Sequence, residues 1–488
     1  MLLRECLLVA LTTLLVKANP TSVEERTLDP VCVQISNAIS SASHVYYAGT
    51  WLYTKGISHW ASSSSQLSNC VVEPGTAADI GIILNILGST NTSFAVKGGG
   101  HASNPGFSST QGVHISMYRF SEVTYDNITA TAVVGAGLIW DDVYAALEPY
   151  GVNVVGGRVP GVGVAGFTLG GGYSWLTNQH GLTLDNVVAY ELVKPDGTVS
   201  TVTESSDSEL FFGLKGGFNN FGVVTKFTMK TYPQTQVWGG LITITGNNIP
   251  LVAAAAARFS ANTTDPKAGV ITTYNFILGA PGISQLLFYD GPTPPAGIFD
   301  DFLAIPYLTK DVSTRSFLSL VQASPANVTY GERASFHSVS VLDFTPNILN
   351  VILNETVYWG SRLSLKTGTF ISYDVEPFLS TIFTHANSES AYPPTRSLGL
   401  LPFNIYYAWT SSLFDDDFHT AIKTSATAIY NAAIAEGQSI AGAPIYPNYA
   451  LYDTPLAAMY GDNVARLTAL KQRIDPGNVM RLAGGFKF

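Results

Sequence analysis

Three glycine clusters between Lys97 and Val224, each beside a strand-like run, constrain this chain more than any other feature. Glycine has no Cβ, so it lets backbone N–H groups come close to a ligand and tolerates turns closed to other residues. The first cluster, Lys97-Gly98-Gly99-Gly100-His101-Ala102-Ser103, directly follows the strand-like Phe94–Val96. Its N–H groups can form a nest for an anion such as a diphosphate, the bland alternative being a plain loop that needs positive φ. The second runs from Gly161-Val162-Gly163-Val164-Ala165-Gly166 through Phe167-Thr168-Leu169 to Gly170-Gly171-Gly172-Tyr173. It contains a literal G-x-G-x-x-G, and Asp185 lies about where a ribose-binding acid is expected, so a nicotinamide fold has to be weighed. That fold needs Gly166 to open a long helix, whereas here a second glycine triplet follows at about 1 kcal/mol of lost helix stability per glycine. The nicotinamide reading is rejected on that ground. The third cluster, Leu214-Lys215-Gly216-Gly217-Phe218-Asn219-Asn220-Phe221-Gly222-Val223-Val224, reads as an amide-rich turn before a strand and suits the polar edge of a ring. Together the three describe one extended cofactor bed.

The rest of the chain sets the frame. At 488 residues it exceeds one ordinary domain, and 46% hydrophobic with 12% charged residues supplies a large core. A net charge of −10 argues against nucleic acid, which needs a positive stripe. Arg4, the apolar run Leu7–Val16 and Val16-Lys17-Ala18 have the layout of a secretory signal over residues 1–18. That run is too short for a membrane anchor, which needs about 20 residues, so no membrane attachment is expected after signal removal. Cys6 leaves with the signal, and Cys32 and Cys70 are expected to pair in an oxidising compartment, two buried thiols being the alternative. Sequons at Asn91, Asn127, Asn262, Asn327 and Asn354 fit a secreted glycoprotein.

Helix and strand signals alternate over residues 76–232. Thr76 and Asp79 form a capping box before Ile80, Ile83, Leu84 and Leu87 at helical spacing, and Asp141 is read as the cap of a second helix. Val152–Val155 and Val187–Val193 read as strands. From 237 to 445, strand-like runs such as Ile271–Leu278 and Phe403–Trp409 alternate with alanine-rich helices such as Ala421–Ala435, which suggests a sheet with helices on one face. A final helix, Asn463–Arg473, stops at Asp475-Pro476.

In their order, Cys70-Val71-Val72-Glu73-Pro74, Lys97–His101, Gly161–Tyr173, Lys215–Val224 and Asn448-Tyr449 make the chain similar to the berberine-bridge-enzyme-like, FAD-linked oxidases of the vanillyl-alcohol-oxidase type. The resemblance spans roughly residues 60–232 and 446–478. It implies an α+β, two-lobed fold: a signal peptide at 1–18, an N-terminal segment at 19–59, a PCMH-type FAD-binding domain at 60–236, a substrate domain with an antiparallel sheet at 237–445, and a tail at 446–488 completing the FAD lobe. It also implies that the 97–106 loop (Lys97 to Ser103, with Gly106) and the 160–173 loop (Pro160, Gly161, Val162, Gly163, Gly166, Leu169, Gly170, Gly171, Gly172 and Tyr173) wrap the FAD diphosphate. Asp185, Asn186, Gly222, Val223, Val224 and Asn448 are the further cofactor contacts. His101 is implied to bond covalently to the flavin 8-methyl carbon, since a neutral imidazole is a good nucleophile, with a non-covalent diphosphate donor as the alternative. Many relatives add a second link through a cysteine before a proline. Here Val159 precedes Pro160, so a monocovalent flavin is expected and the sugar-oxidase reading loses weight.

The expected activity is two-electron oxidation of a small organic molecule, with hydride passing to flavin N5 and then to O2, giving hydrogen peroxide. Alternatives are a flavin dehydrogenase with another acceptor, and a ring-closing or binding protein that uses FAD as a scaffold. Tyr449 is the candidate base, or else a core tyrosine, because burial alone raises a phenol pKa. Tyr406 and Tyr407 are weaker candidates, of which strand alternation turns only one toward a given face. No metal is expected, since His59, His114, His337, His385 and His419 lack ligand spacing. A monomer acting on a natural-product intermediate, an aromatic alcohol or a small sugar is the remaining expectation.

Overall fold

The computed structural model describes residues 28–488, so the expected signal segment lies outside the described residues. The chain is α+β, as expected, and is built on three main sheets. In the first, β1 (His44–Tyr46), β2 (Cys70–Glu73), β3 (Phe94–Lys97) and β4 (Val113–Ser116) are ordered β1-β2-β4-β3. Strands β2, β4 and β3 run parallel, with β1 antiparallel at the edge. The first glycine cluster therefore leaves the carboxyl end of a parallel strand, where open parallel sheets characteristically hold ligands. A disulfide between Cys32 and Cys70 ties the helix Pro30–Ala38 to β2.

The helix Ala77–Thr90 joins β2 to β3. Thr76 caps it by accepting from the Asp79 N–H, and Asn91 ends it in the left-handed region at φ 51°. Ile80, Ile83, Leu84 and Leu87 are fully buried, each contributing roughly 2 kcal/mol of gross burial. The Asp79 carboxylate bonds Ser40, Ser43 and Thr76, so it fastens the preceding segment to this helix start.

The second sheet is antiparallel and contains β5 (Val123–Asp126), β6 (Thr131–Gly135), β8 (Val187–Val193), β9 (Val199–Val202) and β10 (Val223–Lys230), in the order β5-β6-β10-β8-β9. Two-residue β7 (Val152–Asn153) pairs with β11 (Tyr232–Pro233), so the expected strand 152–155 is only half formed. The helix Trp140–Leu147 has Ile139 at its N-cap, with no side-chain cap. Asp141 lies inside its first turn and accepts from the Gly161 N–H at 2.8 Å instead. The acid read as a cap thus pins the second glycine loop.

The third sheet is entirely antiparallel. Its strands are β12 (Val237–Thr245), β13 (Ala268–Ile277), β14 (Ala280–Tyr289), β15 (Thr309–Arg315), β16 (Arg333–Val341), β17 (Gly368–Val375) and β18 (Leu401–Trp409), ordered β15-β12-β14-β13-β17-β18-β16. Helices Pro346–Leu363 and Asp415–Ala435 cover one face of the large sheet, and Ile249–Asn262 packs beside the first of them. The other face is left to meet the glycine loops. The tail returns to those loops: Asn104 Nδ2 donates to the Ala450 carbonyl and Asn220 Nδ2 to that of Phe486. No helix among the described residues is long and apolar enough to cross a membrane.

Candidate active site

A cavity of about 870 Å³ lies between the glycine loops and the open face of the large sheet. Gly98 to Ser103 line one part of it, with Val162, Gly163, Gly166, Leu169 and Tyr173 from the second loop. Gly222, Val223 and Val224 border it, as do Asn448 and Tyr449 from the tail. Val159, at the position that carries a linking cysteine in some relatives, also faces it. The two glycine loops touch: a Cβ on Gly99 would sit 2.5 Å from the Gly163 Cα, and one on Gly163 only 2.6 Å from the Gly99 nitrogen. Both positions need glycine for this approach.

Other expected contacts are elsewhere. Lys97 turns beneath its loop and donates to the Ser58 carbonyl at 2.7 Å and the Tyr118 hydroxyl at 2.9 Å. Burial brings its ammonium down to about 7, which fits a structural strut rather than an exposed phosphate ligand. Asp185 is a correction: its fully buried carboxylate takes two hydrogen bonds from Arg396, at 2.8 and 3.1 Å, and one from the Leu182 N–H. Asn186 is likewise consumed, donating to the His180 and Leu182 carbonyls and accepting from Tyr232 at 2.6 Å. Neither lines the cavity. Gly106, Pro160 and Gly161 form turns outside the cavity lining, as do Gly170 to Gly172, where the Gly172 N–H is held by the Tyr446 hydroxyl. The helix begun at Val164 ends at Leu169, the short length expected from the glycines that follow.

His101 is half-buried, with its ring stacked on Trp60 at 4.5 Å between centroids. Its Nε2 has no hydrogen-bond partner, and burial lowers its pKa to about 4. The imidazole is therefore neutral near pH 7, and the residue lines the cavity with its Nε2 buried and unpaired. An orphaned buried nitrogen beside a cradle that a single Cβ would fill fits a flavin dinucleotide held at this loop.

The substrate side holds residues that the sequence alone did not single out. Arg158, just before Val159, pairs with Glu376 at 2.7 Å, and both are buried. Arg158 also donates to the Tyr449 hydroxyl at 3.2 Å, and that hydroxyl lies 3.5 Å from Glu376 Oε1. Burial raises Glu376 to about 7; Arg158 opposes the shift and Asp374 reinforces it. Burial, then Glu376, pushes the Tyr449 phenol well above its ordinary range. Tyr449 is thus a neutral hydroxyl between the cavity and a carboxylate, and Glu376 is the group poised to accept a proton. Asp374 also faces the cavity and takes a 2.7 Å hydrogen bond from Asn404. The signal missed in the sequence was Asp374-Val375-Glu376, two acids two residues apart in a strand-like run.

Alternation separates the paired tyrosines of β18. Tyr406 faces the cavity, stacks on Phe336 and donates to Thr329 Oγ1 at 2.7 Å. Tyr407 faces the helices, where Tyr373 and Ser425 engage its hydroxyl network. Among the described residues no cluster suits a metal ion.

Comparison with known proteins agrees with this geometry. Residues 68–203 match the model of an FAD binding domain and residues 445–485 the berberine and berberine-like model. The chain thus carries an FAD binding domain and a berberine-like segment near its C-terminal end. An uncharacterized FAD-linked oxidoreductase of Arthroderma benhamiae is 38% identical over 58% of this chain and 57% of its own length, so that match spans little more than half of the relative. The FAD-dependent monooxygenase drtC of Aspergillus calidoustus is 29% identical over 88% of this chain and 84% of that protein. In fold, the chain is similar to the wild-type BBE-like 1 protein of Physcomitrella patens, with a TM-score of 0.73 at 21% identity over 93% of this chain and 97% of that one.

Proposed function

We propose that the protein is a secreted oxidase that removes a hydride and a proton, two electrons and two protons in all, from a small organic substrate, with FAD attached covalently through His101. When bound, FAD supplies the two-electron acceptor, and dioxygen then takes those electrons to give hydrogen peroxide. Gly98 to Gly100 and Gly163 would hold its diphosphate, and His101 Nε2 its ring. The observation that carries the reading is the Tyr449–Glu376–Arg158 arrangement in the same cavity as the unpartnered His101 nitrogen.

The chain's own residues divide the proton work. A substrate hydroxyl or amine placed at Tyr449 gives its proton to the phenol oxygen as the phenol proton passes to Glu376. A carboxylate near 7 accepts that proton at neutral pH far more readily than a bare phenol would. Arg158 compensates the Glu376 charge and fixes its orientation. Tyr406, Phe336 and Trp60 wall the site with aromatic surface and exclude water. Secretion is supported by the Cys32–Cys70 disulfide and by five sequons that all sit on exposed asparagines.

The test is the visible spectrum of acid-precipitated protein. Wild-type pellet should stay yellow, and His101→Ala should release its flavin to the supernatant while remaining folded. A yellow His101→Ala pellet would remove the assignment. Peroxide formation during turnover checks the acceptor, and reduction of a dye without oxygen consumption would make the protein a dehydrogenase instead.

A further inference from the structure

The cavity is longer than a site for the reacting groups alone requires. From Asp374 it continues across β13, β14 and β12, three strand spacings or about 14 Å. The floor of this arm is set by register. Thr273 is paired with Asp374 on one side and Ser284 on the other, and Ser284 is paired with Thr243. All four side chains face the cavity and make one polar lane across the sheet. Two residues along each strand, Ile271, Leu286 and Leu241 are likewise in register and form a parallel apolar lane. Pro325, Ala326 and Val328 border the same cavity.

Two details restrict what can lie there. Among the described residues, the cavity lining contributed by β12, β13, β14 and the 324–329 segment contains no aromatic and no charged side chain. Flat sugar rings are gripped by aromatic platforms, and phosphates or carboxylates by cations, and the arm supplies neither. At its inner end, Asn404 is buried with its Nδ2 spent on Asp374, while its Oδ1 has no partner. A buried unpaired acceptor costs about 1–3 kcal/mol, so a ligand that donates to it recovers that loss.

We propose that this arm binds the aliphatic chain of an elongated, hydroxylated substrate, with one substrate hydroxyl donated to Asn404 Oδ1 and the chain lying along Ile271, Leu286 and Leu241. The proposal rests on the oxidase reading only in placing the reacting carbon at Tyr449. Chain contact with the apolar lane supplies affinity that grows with length, and the hydroxyl lane accommodates oxygens along one edge.

The test uses the purified holoprotein with propanol, decanol, 1,2-decanediol (hereafter decanediol, whose second hydroxyl stays at the inner end) and cellobiose as probes, read by perturbation of the flavin visible spectrum and by thermal stabilisation. Decanol should bind at least tenfold tighter than propanol, decanediol tighter than decanol, and cellobiose weakest. Ser284→Phe fills the lane and should abolish the gain from chain length. Thr243→Phe, on a different strand, repeats the test should the first variant fail to fold. Asn404→Leu should erase the preference for the diol. Cellobiose binding tighter than decanol, or a chain-length gain kept in both lane variants, overturns the proposal. If the protein carries no flavin, the oxidase reading fails, and thermal stabilisation still reports whether the arm takes the chain.

Discussion

The two walls of the cavity are made in opposite ways. The glycine wall is made largely of backbone: Gly99 and Gly163 touch because neither has a side chain, and Gly98 to Gly100 bring main-chain groups to the cavity beside His101. The sheet wall is made of side chains, in rows that cross β18, β17, β13, β14 and β12. A backbone wall recognises what a whole family shares, a diphosphate and a ring. A side-chain wall can change one residue at a time without disturbing the ladder beneath it, so substrate choice belongs there.

The largest expected effect breaks the backbone wall. Gly99→Val places a Cβ against the Gly163 backbone, where nothing flexible can give way. The purified variant should carry no flavin, read as loss of visible absorbance per polypeptide. Normal flavin content would mean that the two loops separate freely.

On the sheet wall, Glu376→Gln should lower turnover by about 100-fold, in the range of a lost general base, with flavin content unchanged. The pH profile sharpens the point. The folded pKa of Glu376 is raised from an ordinary 4.5 to about 7. Wild-type turnover should therefore rise with pH through about 7 as the carboxylate forms, and Glu376→Gln should flatten that limb. The same shift has the opposite sign for stability. Ionising this buried acid opposes folding, so its contribution falls as pH rises between 4.5 and about 7.

The smallest effect separates the faces of β18. Tyr407→Phe removes a hydroxyl from the network with Tyr373 and should cost about 1 kcal/mol in thermal or denaturant unfolding, with turnover unchanged. A loss of turnover in that variant would place Tyr407 in the chemistry and upset the assignment of faces.

Much of the glycine wall is legible in the amino-acid sequence. The helix Asn463–Ile474, the strand Val187–Val193 and the loop beginning at Gly98 depend on local signals: apolar period, capping residues and glycine runs. Two local signals mislead because a tertiary partner outbids a local one. Asp141 bonds the Gly161 N–H rather than capping its own helix. Asp185, spaced like a ribose-binding acid, is neutralised by Arg396, 211 residues away in sequence. Spacing cannot reveal such a partner.

By itself, then, the sequence determined the glycine bed, the α+β class and the place of His101 beside that bed, because backbone permissiveness and periodicity are written in neighbouring residues. Only the tertiary structure decided which polar groups meet. Arg158, Glu376 and Tyr449 come from three distant segments, and the lane through Thr273, Ser284 and Thr243 exists only in one strand register. The physical reason for the lane is the period of two along a strand: a slip of one residue would turn Thr273, Ser284 and Thr243 toward the helices.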